Sequence, residues 1–135
     1  MKGLEGIKVI DLTSYVAAPA SPRILGEMGA TVYKIEPATG DEYRTNAPGF
    51  GMKKTDIDDP SFDFASMNKI FVSINLKSEE GHELIEKMLA DADILITSFR
   101  DKALVKLGLD WGSVHERHPH LVWAQMRGYG EYGPD

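Results

Sequence analysis

The sequence predicts an α/β fold built on a doubly wound, mostly parallel five-stranded sheet, and three observations predict it. Five short apolar or β-branched runs recur along the chain, segments of helical length separate them, and helix-capping residues stand at the joins.

Residues 7–12 form the first apolar run, and residues 31–35 (Thr-Val-Tyr-Lys-Ile) form a β-branched and aromatic one. Residues 19–28 between them have helical length, so the three segments make a βαβ unit. Pro19 and Pro22 are compatible with that helix, because the N–H groups of a first turn have no intrahelical partner to lose. Gly29 stands where a C′ residue closes it.

Further strands are predicted over residues 70–74, 94–97 and 121–126. The strongest helix is Glu79–Ala90, with Ser78 as N-cap and Glu79 and Glu80 in the first turn. Leu84, Ile85, Met88 and Leu89 form its apolar stripe, and Glu83 and Lys87 an i,i+4 pair on its wet face. Residues 103–107 read as a short helix closed by Gly108. Asp110 caps another over residues 111–117 that stops before Pro119.

Residues 38–69 break this rhythm, as a long loop excursion carrying Gly40, Pro48, Gly49, Gly51 and Pro60. Such a stretch is usually functional or mobile. Its acidic cluster, Asp56, Asp58 and Asp59, lacks the ligand spacing of a calcium loop and is expected to face water.

At 135 residues the chain has the length of one domain, spanning residues 1–135. Hydrophobic residues at 42% and charged residues at 27% are the mix of a soluble globular protein. Without cysteine there is no disulfide framework, thiolate metal site or cysteine nucleophile. The first residues carry no apolar leader and no run reaches membrane-spanning length, so a cytoplasmic location with no membrane partner is expected. A net charge of −6 with scattered Lys and Arg argues against nucleic acid as a partner.

Open α/β sheets bind ligands beyond the carboxyl ends of their strands. The informative residues are therefore 13–18, Glu36, 75–77, 98–100 and 127–130. A dinucleotide reading of Glu36 fails, because Thr13-Ser14-Tyr15-Val16-Ala17-Ala18-Pro19 replaces the glycine-rich turn that would let a pyrophosphate approach the backbone. Glu36 then reads as a solvated strand-end carboxylate. His115, His118 and His120 form H-x-x-H-x-H, but Pro119 interrupts it and no carboxylate is patterned beside it, so it reads as a solvated turn and not a metal site. There is no G-x-S-x-G and no P-loop. Physics alone yields an α/β domain with an anion-friendly strand-end crevice.

Several segments together resemble the class III CoA-transferase family, which includes formyl-CoA transferase and carnitine CoA-transferase. They are Leu4-Glu5-Gly6-Ile7-Lys8-Val9-Ile10-Asp11-Leu12, Leu25-Gly26-Glu27-Met28-Gly29-Ala30 with Val32-Tyr33-Lys34-Ile35-Glu36-Pro37, Ser73-Ile74-Asn75-Leu76-Lys77 with Gly81, Ala92-Asp93-Ile94-Leu95-Ile96 with Phe99, and Gly128-Tyr129-Gly130-Glu131-Tyr132-Gly133-Pro134. Trp123-Ala124-Gln125-Met126-Arg127 and Glu131 look most like the branch that moves CoA among 2-hydroxyacyl and enoyl acids such as phenyllactate or 2-hydroxyisocaproate. Two positions depart from formyl-CoA transferase: Pro37 stands where it has a basic residue, and Val16 where it has a polar one.

The resemblance implies a Rossmann-like first domain that holds CoA at its strand ends. It implies coenzyme A and acyl-CoA as substrates, with a carboxylic acid acceptor and no permanently bound cofactor, and a homodimer whose subunits interlock. Carried over residue by residue, it places Val16 and Ala17 on the adenine-nucleotide side, Asn75, Leu76 and Lys77 in the neighbouring loop, then Phe99, Arg100 and Lys106. Lys77, Arg100, Lys102, Lys106 and Arg127 are expected to gather positive charge for the phosphates. Gly128, Tyr129 and Gly130 belong to a loop whose backbone approaches the thioester.

The family's nucleophile is an aspartate that attacks the thioester carbonyl, forms a mixed anhydride and later accepts CoA as a thioester. It follows the glycine-rich loop, and Asp135 does not match it. The chain is therefore expected to bind CoA, to be inactive by itself, and to need the remainder of the transferase chain. Two other readings stay open. The α-methylacyl-CoA racemases share this N-terminal pattern and use proton transfer at carbon, and a non-catalytic binding or assembly module would also fit.

Overall fold

The computed structural model describes residues 3–53, 55 and 59–130. Five strands, β1 (Lys8–Leu12), β2 (Thr31–Glu36), β3 (Lys69–Ser73), β4 (Ile94–Thr97) and β5 (Val122–Gln125), form one sheet in the order β3-β2-β1-β4-β5. Every pairing is parallel, which tightens the "mostly parallel" expectation. Parallel neighbours need crossovers, and α1 (Ala20–Glu27), α2 (Pro60–Ser66), α3 (Glu79–Ala90), α4 (Asp101–Leu107) and α5 (Trp111–Arg117) supply them.

Alternation along each strand divides the side chains between two faces. Ile10, Leu12, Ile35 and Leu95 join Ile85 and Leu89 of α3, Leu104 of α4 and Val114 of α5 in the larger apolar cluster. Val9, Val32 and Ile96 face the other way, where Leu25 of α1 packs against a smaller cluster. A sheet covered on both faces requires strands apolar on both sides, as these runs are.

The helix ends follow their local chemistry. Ser78 Oγ accepts from the Gly81 N–H, Asp110 accepts from the Ser113 N–H, and Gly108 closes α4 in the left-handed region at φ 63°. Two details of α3 differ from expectation. Leu84 is exposed, so the buried stripe narrows to Ile85 and Leu89 with Met88 half-buried. Glu83 and Lys87 form no ion pair among the described residues, because an exposed pair gains little for the side-chain freedom it costs. The i,i+4 pair that does form is Arg23 with Glu27 on α1, at 2.8 Å.

Residues 38–69 are the main correction, for they are not a bare loop. They contain two 3-10 turns, Glu42–Thr45 and Ala47–Phe50, and helix α2, and Lys69 already begins β3. The signals were local and short: Asp59 caps α2 by accepting from the Phe62 N–H at 3.1 Å, with Pro60 at the first helical position. Asp59 is therefore buried and not facing water. Asp56 and Asp58 lie outside the described residues. Among the described residues no helix is long and apolar enough to cross a membrane.

Candidate functional site at the strand ends

The chain winds outward from β1 through β2 to β3, then returns to place β4 on the other side of β1. The loops leaving β1 and β4 therefore run in opposite directions, and a crevice opens between them at the carboxyl edge. The first loop, residues 13–19, meets the second through the Ser14 N–H, which donates to Ser98 Oγ at 3.0 Å. Val16 is half-buried and Ala17 exposed in that first loop.

Beneath the first loop lies a charged lattice that sequence reading missed. Lys69 Nζ donates to Asp11 Oδ2 and to the Pro19 carbonyl, both at 2.8 Å, and the Lys69 and Asp11 side chains are fully buried. Lys34 Nζ donates to Asp41 Oδ2 at 2.9 Å and to the Thr13 carbonyl at 2.5 Å. Asp11 Oδ1 accepts from the Thr13 N–H at 2.9 Å, and Asp41 Oδ1 accepts from the N–H groups of Tyr15 and Tyr43. Burial pushes the Lys69 ammonium below its ordinary range, with Asp11 opposing that displacement. The sequence signal was there to read. Asp11 interrupts the apolar run of a central strand, and Lys34 lies between Val32 and Glu36 on a buried face, so each required a partner.

Glu36 is corrected in the same region, since it is buried and not solvated. Arg44 holds it through two hydrogen bonds, at 3.0 and 3.1 Å, while its guanidinium lies 3.9 Å from the Phe62 ring centre. Bidentate pairing and aromatic stacking are what an arginine supplies best. Of the three histidines only His118 departs from the solvated expectation, since His115, in the last turn of α5, and His120 are exposed. His118 is mostly buried and hydrogen-bonded to Glu86 at 3.0 Å, His120 to the Ala92 carbonyl at 3.2 Å, and His115 stacks on Trp111. Burial alone would raise the Glu86 carboxyl, but hydrogen bonds from Arg117 and His118 outweigh it and hold the group below the usual glutamate range.

On the α3 and α4 side, the ends of β3 and β4 open into a cleft of about 930 Å³. Leu76, Lys77, His82, Arg100, Lys102 and Lys106 line it, with Glu79 and Glu83. Seven described cations are engaged in ion pairs: Lys8, Arg23, Lys34, Arg44, Lys69, Arg117 and Arg127. Of the six described lysines and arginines that make none, four line this cleft, and only Lys53 and Lys87 lie elsewhere. Free positive charge in an acidic chain is thereby concentrated at one place.

Gly81 explains how the Asn75–Lys77 turn is seated. A Cβ at Gly81 would fall 2.0 Å from the Asn75 carbonyl oxygen, so only glycine lets the turn rest on the first turn of α3. Asn75 Oδ1 then accepts from the Lys77 N–H at 3.2 Å.

The remaining predicted residues are distributed otherwise. Phe99 is half-buried and packs against the larger apolar cluster, with Arg100 following it at the N-cap of α4. Arg127 and Gly130 line a second cleft of about 580 Å³ on the other side of α4, with Trp111 and Trp123. There Arg127 is neutralised by Asp101 at 2.7 Å, so it does not join the four unpaired cations. Gly128 is exposed and Tyr129 fully so, and Glu131, Tyr132, Gly133, Pro134 and Asp135 lie outside the described residues.

The pattern that defines CoA-transferase family III matches residues 4–135. The chain belongs to that family. It is similar to the cinnamoyl-CoA:phenyllactate CoA-transferase of Clostridium sporogenes, at 47% identity over 130 residues that cover 96% of this chain and 32% of that protein. It is 44% identical over 131 residues to the (R)-2-hydroxy-4-methylpentanoate CoA-transferase of Clostridioides difficile, covering 97% of this chain and 33% of the relative. Among solved structures, a CAIB/BAIF family protein from Brucella suis superposes with a TM-score of 0.89 at 31% identity, over 98% of this chain and 35% of that one. The family III chain described here thus spans about a third of the length of these relatives.

Proposed function

We propose that this chain is the CoA-binding, N-terminal third of a transferase that moves CoA between an acyl-CoA thioester and a carboxylic acid. One observation carries the reading: Lys77, Arg100, Lys102 and Lys106 make no ion pair and converge on one cleft at the strand ends. Ammonium and guanidinium donors match phosphate oxygens. Leu76, Leu107 and the stems of the lysines give the cleft apolar wall against which a nucleobase can rest.

In this reading residues 1–135 act as one domain. Val16, Ala17, Asn75 and Phe99 complete the nucleotide contacts from the rim, and Arg127 to Gly130 lead toward the thioester end. The aspartyl nucleophile belongs to the part of the relatives that this chain does not span, within an interlocked homodimer. The names of the relatives from C. sporogenes and C. difficile favour aryl or branched 2-hydroxyacyl substrates, and transfer over racemisation.

The test is a CoA titration of the intact protein and of Lys77→Ala with Lys106→Ala. The double variant should bind about a hundredfold more weakly and with a shallower salt dependence, since two charge-assisted contacts, each worth about tenfold, are removed. Equal affinity and salt dependence in the two proteins would overturn the placement of the site.

A further inference from the structure

Two buried cations do more than neutralise two buried carboxylates. Lys69 reaches past Asp11 to the Pro19 carbonyl, and Lys34 reaches past Asp41 to the Thr13 carbonyl. Thr13 and Pro19 are the first and last residues of the loop between β1 and α1, so each end of that loop is gripped from below by an ammonium group. The loop contains no glycine to set its shape, yet Tyr15 adopts the left-handed region at φ 72°, which a side chain disfavours. Its contacts hold it there. The Tyr15 N–H is accepted by Asp41, the Tyr15 hydroxyl accepts from Asn46 Nδ2 at 2.7 Å, and its ring lies 5.0 Å from that of Tyr43.

Stability alone is a poor reason for this arrangement. Replacing a buried ion pair by apolar side chains of similar volume is often neutral or stabilising, whereas an apolar pair has no donor for a carbonyl at a loop end. Both ion pairs sit on the same face of the sheet, beneath the loop that borders the crevice on the β1 side. We infer that Lys34 and Lys69 are positioning residues, which set the shape of the 13–19 loop and thereby the affinity of the crevice for CoA. They touch the loop and not the ligand. The effect on CoA rests on the function proposed above; the effect on the loop does not.

Two charge-neutral double variants test this. Asp11→Asn with Lys69→Met removes one grip and retains an oxygen to accept from Thr13. Lys34→Met with Asp41→Asn removes the other and retains an oxygen to accept from Tyr15 and Tyr43. Three quantities are read on each intact protein: thermal unfolding, amide hydrogen exchange of residues 14–17, and CoA affinity as a function of salt. In a variant that folds, the inference expects exchange in the loop to be about tenfold faster and affinity about tenfold weaker, on the scale of one lost charge-assisted hydrogen bond. The salt dependence should stay that of the unaltered protein, because the four cleft cations remain. Global damage would change it as well, and unchanged loop exchange in either folded variant would overturn the inference. If the unaltered protein binds no CoA, the proposed function fails, and loop exchange alone still decides the positioning role. Should one pair prove necessary for folding, the other carries the test.

Discussion

Lys34 and Lys69 on one side of the sheet, and Lys77 and Lys106 on the other, are the same residue type in opposite circumstances. The first two are buried, and each ammonium has a carboxylate and a carbonyl within 2.9 Å. The second two are exposed, line the cleft and have no ion-pair partner. The difference is one of use. A lysine whose donors are already satisfied can fix backbone but cannot bind a ligand, while one held among like charges retains its donors for an incoming anion.

The largest expected effect breaks the comparison from the buried side. Lys69→Ala leaves the Asp11 carboxylate buried without its cation and should cost about 3–5 kcal/mol in denaturant unfolding. Lys77→Ala should change stability by no more than about 0.5 kcal/mol, as surface substitutions do. Equal losses would show that burial does not separate the two sets.

Gly81→Ala is expected to come next. Its Cβ would collide with the Asn75 carbonyl oxygen, and moving the Asn75–Lys77 turn or the helix should cost about 1–3 kcal/mol. It should also weaken CoA binding, because the turn carries Lys77 into the cleft. Isothermal titration beside an unfolding curve separates the two consequences.

The smallest effect is a pH dependence at Glu86, on the α3 to α5 contact. Its folded pKa is below the unfolded value, so the folded state is favoured once the unfolded chain has lost that proton. The contribution is complete above the ordinary glutamate pKa and disappears as the pH falls through the lower folded value. The stability difference between the unaltered protein and Glu86→Gln should therefore shrink in acid and reach a plateau toward neutrality. A difference that stays constant across that window would remove the ionic contribution of Arg117 and His118.

Much of the fold was legible because its signals are local. Five strands and the helices α1, α3, α4 and α5 follow from periodicity, from Ser78 and Asp110 as caps, and from Gly29 and Gly108 as closers. Helix α2 was not legible, since it lies in a stretch rich in glycine and proline and its own Pro60 reads equally as a loop residue. The cleft was legible only in part. Leu76, Lys77, Arg100 and Lys106 were marked by resemblance and meet in one cleft, whereas Arg127 is drawn aside by Asp101, a contact that spacing along the chain does not show.

What the sequence determined by itself was the alternation of strand and helix, the positions of the caps and the family pattern along residues 4–135, because each is written in neighbouring residues. Only the tertiary structure decided which charges are spent on the protein and which are left over. Asp11 and Lys69 are 58 positions apart, and Lys34 meets the carbonyl of a loop 21 positions before it. Pairing across such separations is a property of the assembled sheet, and it is this pairing that leaves Lys77, Arg100, Lys102 and Lys106 free at its edge.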